Sequence, residues 1–171
     1  KNHAAAILKE DFPTEVAELE KVLSGFSISA DELISSGGGE AKSTQRMRHD
    51  LASFGWKKHN FNFTSQVDGI QLASISHEID HVKRTQNGTI ALEIEWNNKD
   101  PFFDRDLENF QRLHAQSVIS LGIIITRGET LQRDLVSIIQ NCLKAHNVNS
   151  EADLSVFDMK DRTKRQSEMV A

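Results

Sequence analysis

The sequence predicts an α/β fold, a mixed central sheet flanked by helices, on three observations. Thr89 to Trp96 alternates, with Ile90, Leu92, Ile94 and Trp96 on one face and Ala91, Glu93 and Glu95 on the other, the period of a strand. Leu121 to Thr126 is a short apolar run of the kind a buried strand carries. Around both lie segments whose apolar residues recur at three and four, the period of a helix face.

Taken in order, Asp11 to Leu23 reads as the first helix, with Pro13 near its start and Val16, Leu19 and Leu23 in one stripe. Ser35 to Gly39 is a loop. Ser43 to Phe54 is a second helix, its inward side marked by Met47, Leu51 and Phe54 and its end by Gly55. Gly39 to Thr44 faintly resembles a phosphate loop but lacks the terminal GK[ST] and a preceding strand, so that reading is discarded. Asn60 to Ser65 is a strand alternating at Phe61 and Phe63, and Val67-Asp68-Gly69 is a turn. Asp100 is read as an N-cap with Pro101 at the first helical position. The helix that follows turns Phe103, Leu107, Phe110 and Leu113 inward. Glu129 to His146 is a long amphipathic helix with Leu131, Leu135, Ile138 and Cys142 on its apolar stripe, where Cys142 reads as core and not as a nucleophile. Lys160 to Ala171 is polar with no closing element, so one domain spanning residues 1–171 is expected, with a C-terminal portion missing.

A chain of 171 residues with 38% hydrophobic and 26% charged residues has the composition of a globular protein able to bury its own core. One cysteine excludes a disulfide framework and a CxxC metal site and suits the reducing cytoplasm, the expected location. No membrane partner is expected, because the Gly122 to Ile125 run is far too short to span a bilayer. A net charge of −5 excludes nucleic-acid coating through bulk charge. The charge is uneven, however. Residues 1–39 carry three lysines against seven acids, whereas Glu40 to His59 sets Lys42, Arg46, Arg48, Lys57 and Lys58 against Glu40 and Asp50. Such a basic patch is either a solvated face or a surface for phosphates, with Lys42, Arg46, Lys57 and Lys58 as the contacts.

Asn87-Gly88 between two strand-like runs is a hairpin signal of the two-residue type I′ turn. That turn pairs Gln86 with Thr89, Arg84 with Ala91, Val82 with Glu93 and Asp80 with Glu95. Asp80, Glu93 and Glu95 then emerge on one face, the two glutamates roughly 7 Å apart and the Asp80–Glu95 pair roughly 5 Å apart. Three carboxylates so close repel unless a positive charge sits among them; Arg84 could answer one and a Mg²⁺ ion all three. The alternative is an exposed strand face on which alternating glutamates are ordinary.

Ile79-Asp80, a short gap, then Leu92-Glu93-Ile94-Glu95-Trp96-Asn97-Asn98 resembles the active-site hairpin of the PD-(D/E)xK nucleases. The chain departs from the commonest pattern in carrying Glu95 where most members have lysine. The Glu-x-Glu form is similar to BamHI, while BglII and BstYI have Glu-x-Gln at that place. The run from Ala91 to Phe110, with Gly122 to Gly128, resembles the BglII/BstYI-type restriction endonucleases, and Gly55-Trp56-Lys57 and the Gly37 to Gly39 loop fit the same family. This resemblance implies a PD-(D/E)xK fold and a cytoplasmic type II restriction endonuclease. Such an enzyme works as a homodimer and uses Mg²⁺ to hydrolyse double-stranded DNA at a short palindrome centred on GATC, leaving staggered 5′ ends. It also implies that Asp80 and Glu93 hold the metal and that Glu95 binds metal or positions the attacking water. Asn97, Asn98 and Lys99 would then read base edges, and the helices Pro101 to Ser117 and Thr130 to Ala145 would make the subunit contact.

Two other readings remain at this point. A catalytically silent or repair-type relative would bind DNA without cutting it. His77-Glu78-Ile79-Asp80-His81 matches HExxH, the zinc-protease signature, which requires a helix. Leu72, Ile75, Ile79 and Val82 do fit helical spacing, but Asn87-Gly88 and the carboxylate strand follow closely and no third ligand is evident.

Overall fold

A computed structural model describes residues 3–34, 40–96 and 100–157. The elements run α1 (Ala4–Asp11), α2 (Pro13–Gly25), α3 (Ala30–Ile34), α4 (Lys42–Ser53), β1 (Lys57–Val67), β2 (Ile70–Arg84), β3 (Thr89–Ile94), α5 (Asp100–Ala115), β4 (Leu121–Ile125) and α6 (Glu129–Ala145), followed by a 3-10 helix, Glu151–Phe157. The class is α/β, as the patterning predicts. None of the described helices is long and apolar enough to cross a membrane. The Ser35 to Gly39 loop and the tail from Lys160 lie outside the described residues.

The chain divides into two compact units. One joins Lys1–Ser24 to Arg48–Thr126 and contains the whole sheet; the other joins Gly25–Met47 to Arg127–Ala171. In the first, the strand order is β1-β2-β3-β4, antiparallel except for the parallel β3–β4 pair. A parallel neighbour needs a crossover, and α5 supplies it. Phe110 and Leu113 of α5 pack with Phe61, Ile79, Val82, Ala91 and Ile119, so α5 covers the sheet. Behind the β1–β2 pair, Lys83 bridges to Glu18 at 2.9 Å and to the Phe54 carbonyl, while Trp56 Nε1 donates to Glu18 at 3.0 Å. This half-buried group ties α2 and the end of α4 to the sheet. In the second unit, Ile34 packs with Ile139, Cys142, Leu143, Val148, Leu154 and Phe157.

The structure corrects two expectations, the first of them the hairpin register. Arg84 pairs with Thr89, Val82 with Ala91 and His81 with Leu92, two residues away from the pairing that a two-residue Asn87-Gly88 turn requires. Thr85 closes a longer loop instead: its N–H donates to the Gly88 carbonyl at 2.8 Å and its Oγ1 accepts the Asn87 N–H at 3.0 Å. The Asn87 side chain is drawn to the Asp11 carbonyl. Gly88 stays essential, with φ at 144° and a position where a Cβ would lie 2.1 Å from Ser120 Oγ. Arg84 meets His59 Nε2 at 2.9 Å and is not a counter-ion of the expected carboxylates.

The second correction concerns helix faces. Leu107 is 56% exposed, and Asp106 is buried in its place beside Phe110 and Leu113, so the inner face of α5 steps 103, 106, 110, 113. Leu23 is likewise exposed, and Val22 is buried in its place, with Leu19 and Glu15, on α2.

Gly122 shows how closely α5 approaches the sheet, since a Cβ there would stand 2.5 Å from Phe110 Cδ2. Gly122→Ala should destabilise the fold by about 1–3 kcal/mol in urea unfolding, the usual cost of overpacking. Combined with Phe110→Ala, the loss should be smaller than the sum of the two single losses, because the two substitutions share one contact.

Candidate active site

Glu93 lies in the interior of β3, a strand buried on both faces from Ile90 to Leu92. It is 6% exposed, and Glu95, just past the end of the strand, is 5% exposed. The Glu95 N–H donates to the Ile125 carbonyl at 2.8 Å, which carries the parallel β3–β4 pairing past the last strand residue and orients Glu95. Continuing the β2–β3 register places Asp80 opposite Glu93, and the Asp80 N–H donates to Glu93 Oε1 at 3.3 Å. The expected cross-strand partner of Asp80 was Glu95; because the register moves by two, the facing is unchanged and Glu93 takes that place.

A local irregularity aims Asp80. The β1–β2 register slips by one residue between Lys57↔Val82 and His59↔Ile79, so Asp80 and His81 together stand opposite Lys58. Extra residues of this kind re-aim a side chain and increase local twist. The Lys58 ammonium reaches Asp80 Oδ1 at 3.1 Å and Glu78 Oε1 at 2.8 Å, and these two acids raise its proton affinity. Lys58, expected on a phosphate-facing surface, therefore sits at the carboxylates.

The α5 helix adds two residues that pattern reading missed. Asp106 is 1% exposed; its Oδ1 accepts from Arg105 Nε at 2.9 Å, while its Oδ2 has no hydrogen-bond partner among the described residues. Arg105 also stands 3.7 Å from Glu95 Oε1, with its guanidinium over the Phe102 ring. Helical spacing admits both Asp106 and Leu107 on the inner face, so the sequence carried no decisive signal for Asp106.

These positions leave Glu93 short of positive charge. Burial pushes its carboxyl up to about 8, and the charges of Asp80, Asp106 and Glu95 add to that displacement against the opposing Asp80 N–H. Lys58 and Arg105 pair with Asp80 and Asp106 at the edges of the group. The hydrogen bond seen at Glu93 among the described residues comes from the Asp80 amide, and Arg105 reaches Glu93 only through its field. Glu93, Glu95 and Asp106 are buried and Asp80 is exposed beside them, and hard carboxylate oxygens of this kind suit a divalent metal ion.

Of the remaining expected residues, Lys57 is exposed on β1 and Lys42 is exposed on α4. Arg46 is committed to Glu32 and to the Ser27 carbonyl, at 2.8 Å. Asn97, Asn98 and Lys99 lie outside the described residues, and the side chain of Asp100 is likewise not described. The HExxH segment lies within β2. Residues four apart on a strand are roughly 13 Å apart along it, so His77 and His81 lack the one-turn spacing that zinc proteases need.

The family model for restriction endonuclease BglII/BglIII matches residues 1–168 of the chain. No curated protein sequence matches it significantly.

With divalent ions chelated, Glu93 binds a proton more tightly in the folded chain than in the unfolded one, where its ordinary value is near 4.5. Stability should be full below that value and fall as pH rises toward about 8, each tenfold difference in proton affinity being worth about 1.4 kcal/mol. Urea unfolding of Glu93→Gln across pH 5 to 9, values of about that range bracketing the transition, should lack this decline and leave the variant more stable than the parent at the alkaline end. A decline of equal size in both proteins would place the titrating group elsewhere.

Proposed function

The chain belongs to the BglII/BglIII family of restriction endonucleases, and from that premise we propose that it is a Mg²⁺-dependent type II enzyme cutting double-stranded DNA at a short palindrome. The family makes it a nuclease, a hydrolase acting on DNA, of a class that generally uses a divalent metal. The observation that carries the reading further is the buried Glu93 carboxylate facing Asp80, flanked by Glu95 and Asp106 and without a full counter-charge. Residues 1–171 are read as one nuclease domain, since the family match runs through both compact units.

Asp80 and Glu93 would hold the metal, with Glu95 as a third oxygen ligand or as the group that orients the attacking water. A divalent cation there supplies polarisation of the scissile phosphoryl group and charge for the leaving oxygen. The chain's own residues do the rest. Glu95, held through its backbone to β4, is rigid enough to align a water in line with the leaving oxygen. Asp106 fixes Arg105 by a charge-assisted bond at 2.8 Å, leaving the guanidinium more than half exposed to face a phosphate. Lys58 keeps positive charge beside Asp80. Lys57 and Lys42, with Arg46 and Lys58, are read as contacts or steering charges for the DNA backbone. Asn97, Asn98 and Lys99 are read as base-edge contacts, since Asn pairs bidentately with adenine and Lys donates to guanine. A symmetric dimer matches a two-fold site and cuts both strands in one encounter. GATC at the centre, staggered 5′ ends, a cytoplasmic location and a subunit contact through α5 and α6 complete the reading.

Plasmid DNA incubated with the protein and Mg²⁺ should give discrete fragments, and EDTA should abolish them. Sequenced ends should be staggered with a common GATC-centred site, and sedimentation with a cognate duplex should show two protein chains. Binding without cutting under every divalent ion would instead mark a silent DNA-binding relative. Asp80→Asn and Glu93→Gln should each lower cleavage about a thousandfold, the rate equivalent of several kcal/mol, while DNA binding is kept or tightened. Variants that cut normally would remove both residues from the site.

A further inference from the structure

The second compact unit contains a different donor set. Asp31 lies in the first turn of α3, while Cys142 and His146 lie one turn apart at the end of α6. Cys142 Sγ is 3.4 Å from Asp31 Oδ1 and 3.7 Å from His146 Nδ1, and the three ligand atoms all lie within 4.8 Å of one another. Zinc bound tetrahedrally to sulfur at about 2.3 Å, and to nitrogen and oxygen at about 2.0–2.2 Å, requires sulfur–nitrogen and sulfur–oxygen edges of roughly 3.5 Å. The two measured separations fall on either side of that value without any movement of the backbone.

From this geometry we propose that Asp31, Cys142 and His146 form a site for a borderline transition-metal ion, Zn²⁺ in particular, clipping α3 to the end of α6. Each ligand is placed by the fold independently of a metal. Cys142 is buried beside Ile34, Ile139 and Leu143. The ring of His146 rests on Phe157, centroids 5.0 Å apart, which restricts its rotation. Asp31 and His146 are exposed, so the open side of the triangle faces solvent and leaves a fourth position for water.

The hydrogen bonds already present can be exchanged without orphaning a buried group. The thiol bonded to Asp31 loses its proton to solvent as the sulfur–metal bond forms. His146 Nδ1 gives up its 2.9 Å contact with the Cys142 carbonyl, which still accepts the His146 backbone N–H at 3.1 Å. The ring then carries its proton on Nε2. A sulfur–nitrogen–oxygen set suits zinc-like ions far better than Mg²⁺, whose ligands are oxygens like those around Glu93.

The full-length chain, stripped of metal, is to be titrated with Co²⁺ alone, in the presence of excess Mg²⁺. One equivalent should develop a thiolate-to-cobalt charge-transfer band with the visible absorption of a tetrahedral ion, and Zn²⁺ should bleach both. His146→Gln, at an exposed position that leaves the core intact, should lose the charge-transfer band or weaken cobalt binding about tenfold or more. Asp31→Asn should weaken it by a similar factor, and Cys142→Ser should abolish the band. Glu93→Gln should leave the spectrum unchanged. A spectrum without a charge-transfer band, or one equally strong in a His146→Gln protein with a native circular dichroism spectrum, overturns the site.

Discussion

Everything around the candidate active site depends on the negative charge gathered at one end of β3. Glu93 is desolvated by its own strand, and Asp80, Glu95 and Asp106 stand close enough to oppose its ionisation. A fold selected for stability alone would place an apolar side chain there, because an uncompensated buried carboxylate costs more than its contacts return. Here the carboxyl is retained, and the two nearby cations are bound at its margins, Lys58 to Asp80 and Glu78 and Arg105 to Asp106. On the proposed reading a divalent cation would answer the deficit at the centre, which ties proton binding and local stability to Glu93.

The rest of the first unit serves to hold that deficit in place. The parallel β3–β4 pair needs a crossover, α5, and the same helix that covers the sheet with Phe110 and Leu113 carries Arg105 and Asp106 to the carboxylates. Close contact at Gly122 brings α5 against the sheet. On the other side of Glu93, the extra residue of β2 at Asp80 and His81 sets Asp80 against Lys58 instead of continuing the regular pairing. The Glu18, Trp56 and Lys83 group anchors α2 and the end of α4 to β2, three residues along the strand from Asp80.

The acidic hairpin was legible from alternation and from its likeness to a family pattern, which together put Asp80, Glu93 and Glu95 on one face. Their pairing was not. Asn87-Gly88 satisfies the local demand of a type I′ turn, but Thr85 and the Asp11 carbonyl compete for the same loop, and neither competitor can be weighed from adjacent residues. The facing survived because a two-residue displacement preserves the side on which each strand residue emerges. Lys58 was read by charge alone as a surface contact, since the irregular register that brings it to Asp80 leaves no trace in the period of β1 or β2.

By itself the sequence determined the α/β class, the order of most elements and the face on which the hairpin acids emerge, because these follow from local periodicity. Only the tertiary structure decided that α5 turns Asp106 inward and Leu107 outward, since adjacent helix positions differ by about 100° and packing against the sheet selects between them. It also decided that the HExxH histidines lie on a strand, where long-range pairing with β1 overrides a spacing equally compatible with a helix. The meeting of Asp31 with Cys142 and His146 had no local signature at all. Residues more than a hundred positions apart come together only when two helices pack, and no period within either helix records the partner.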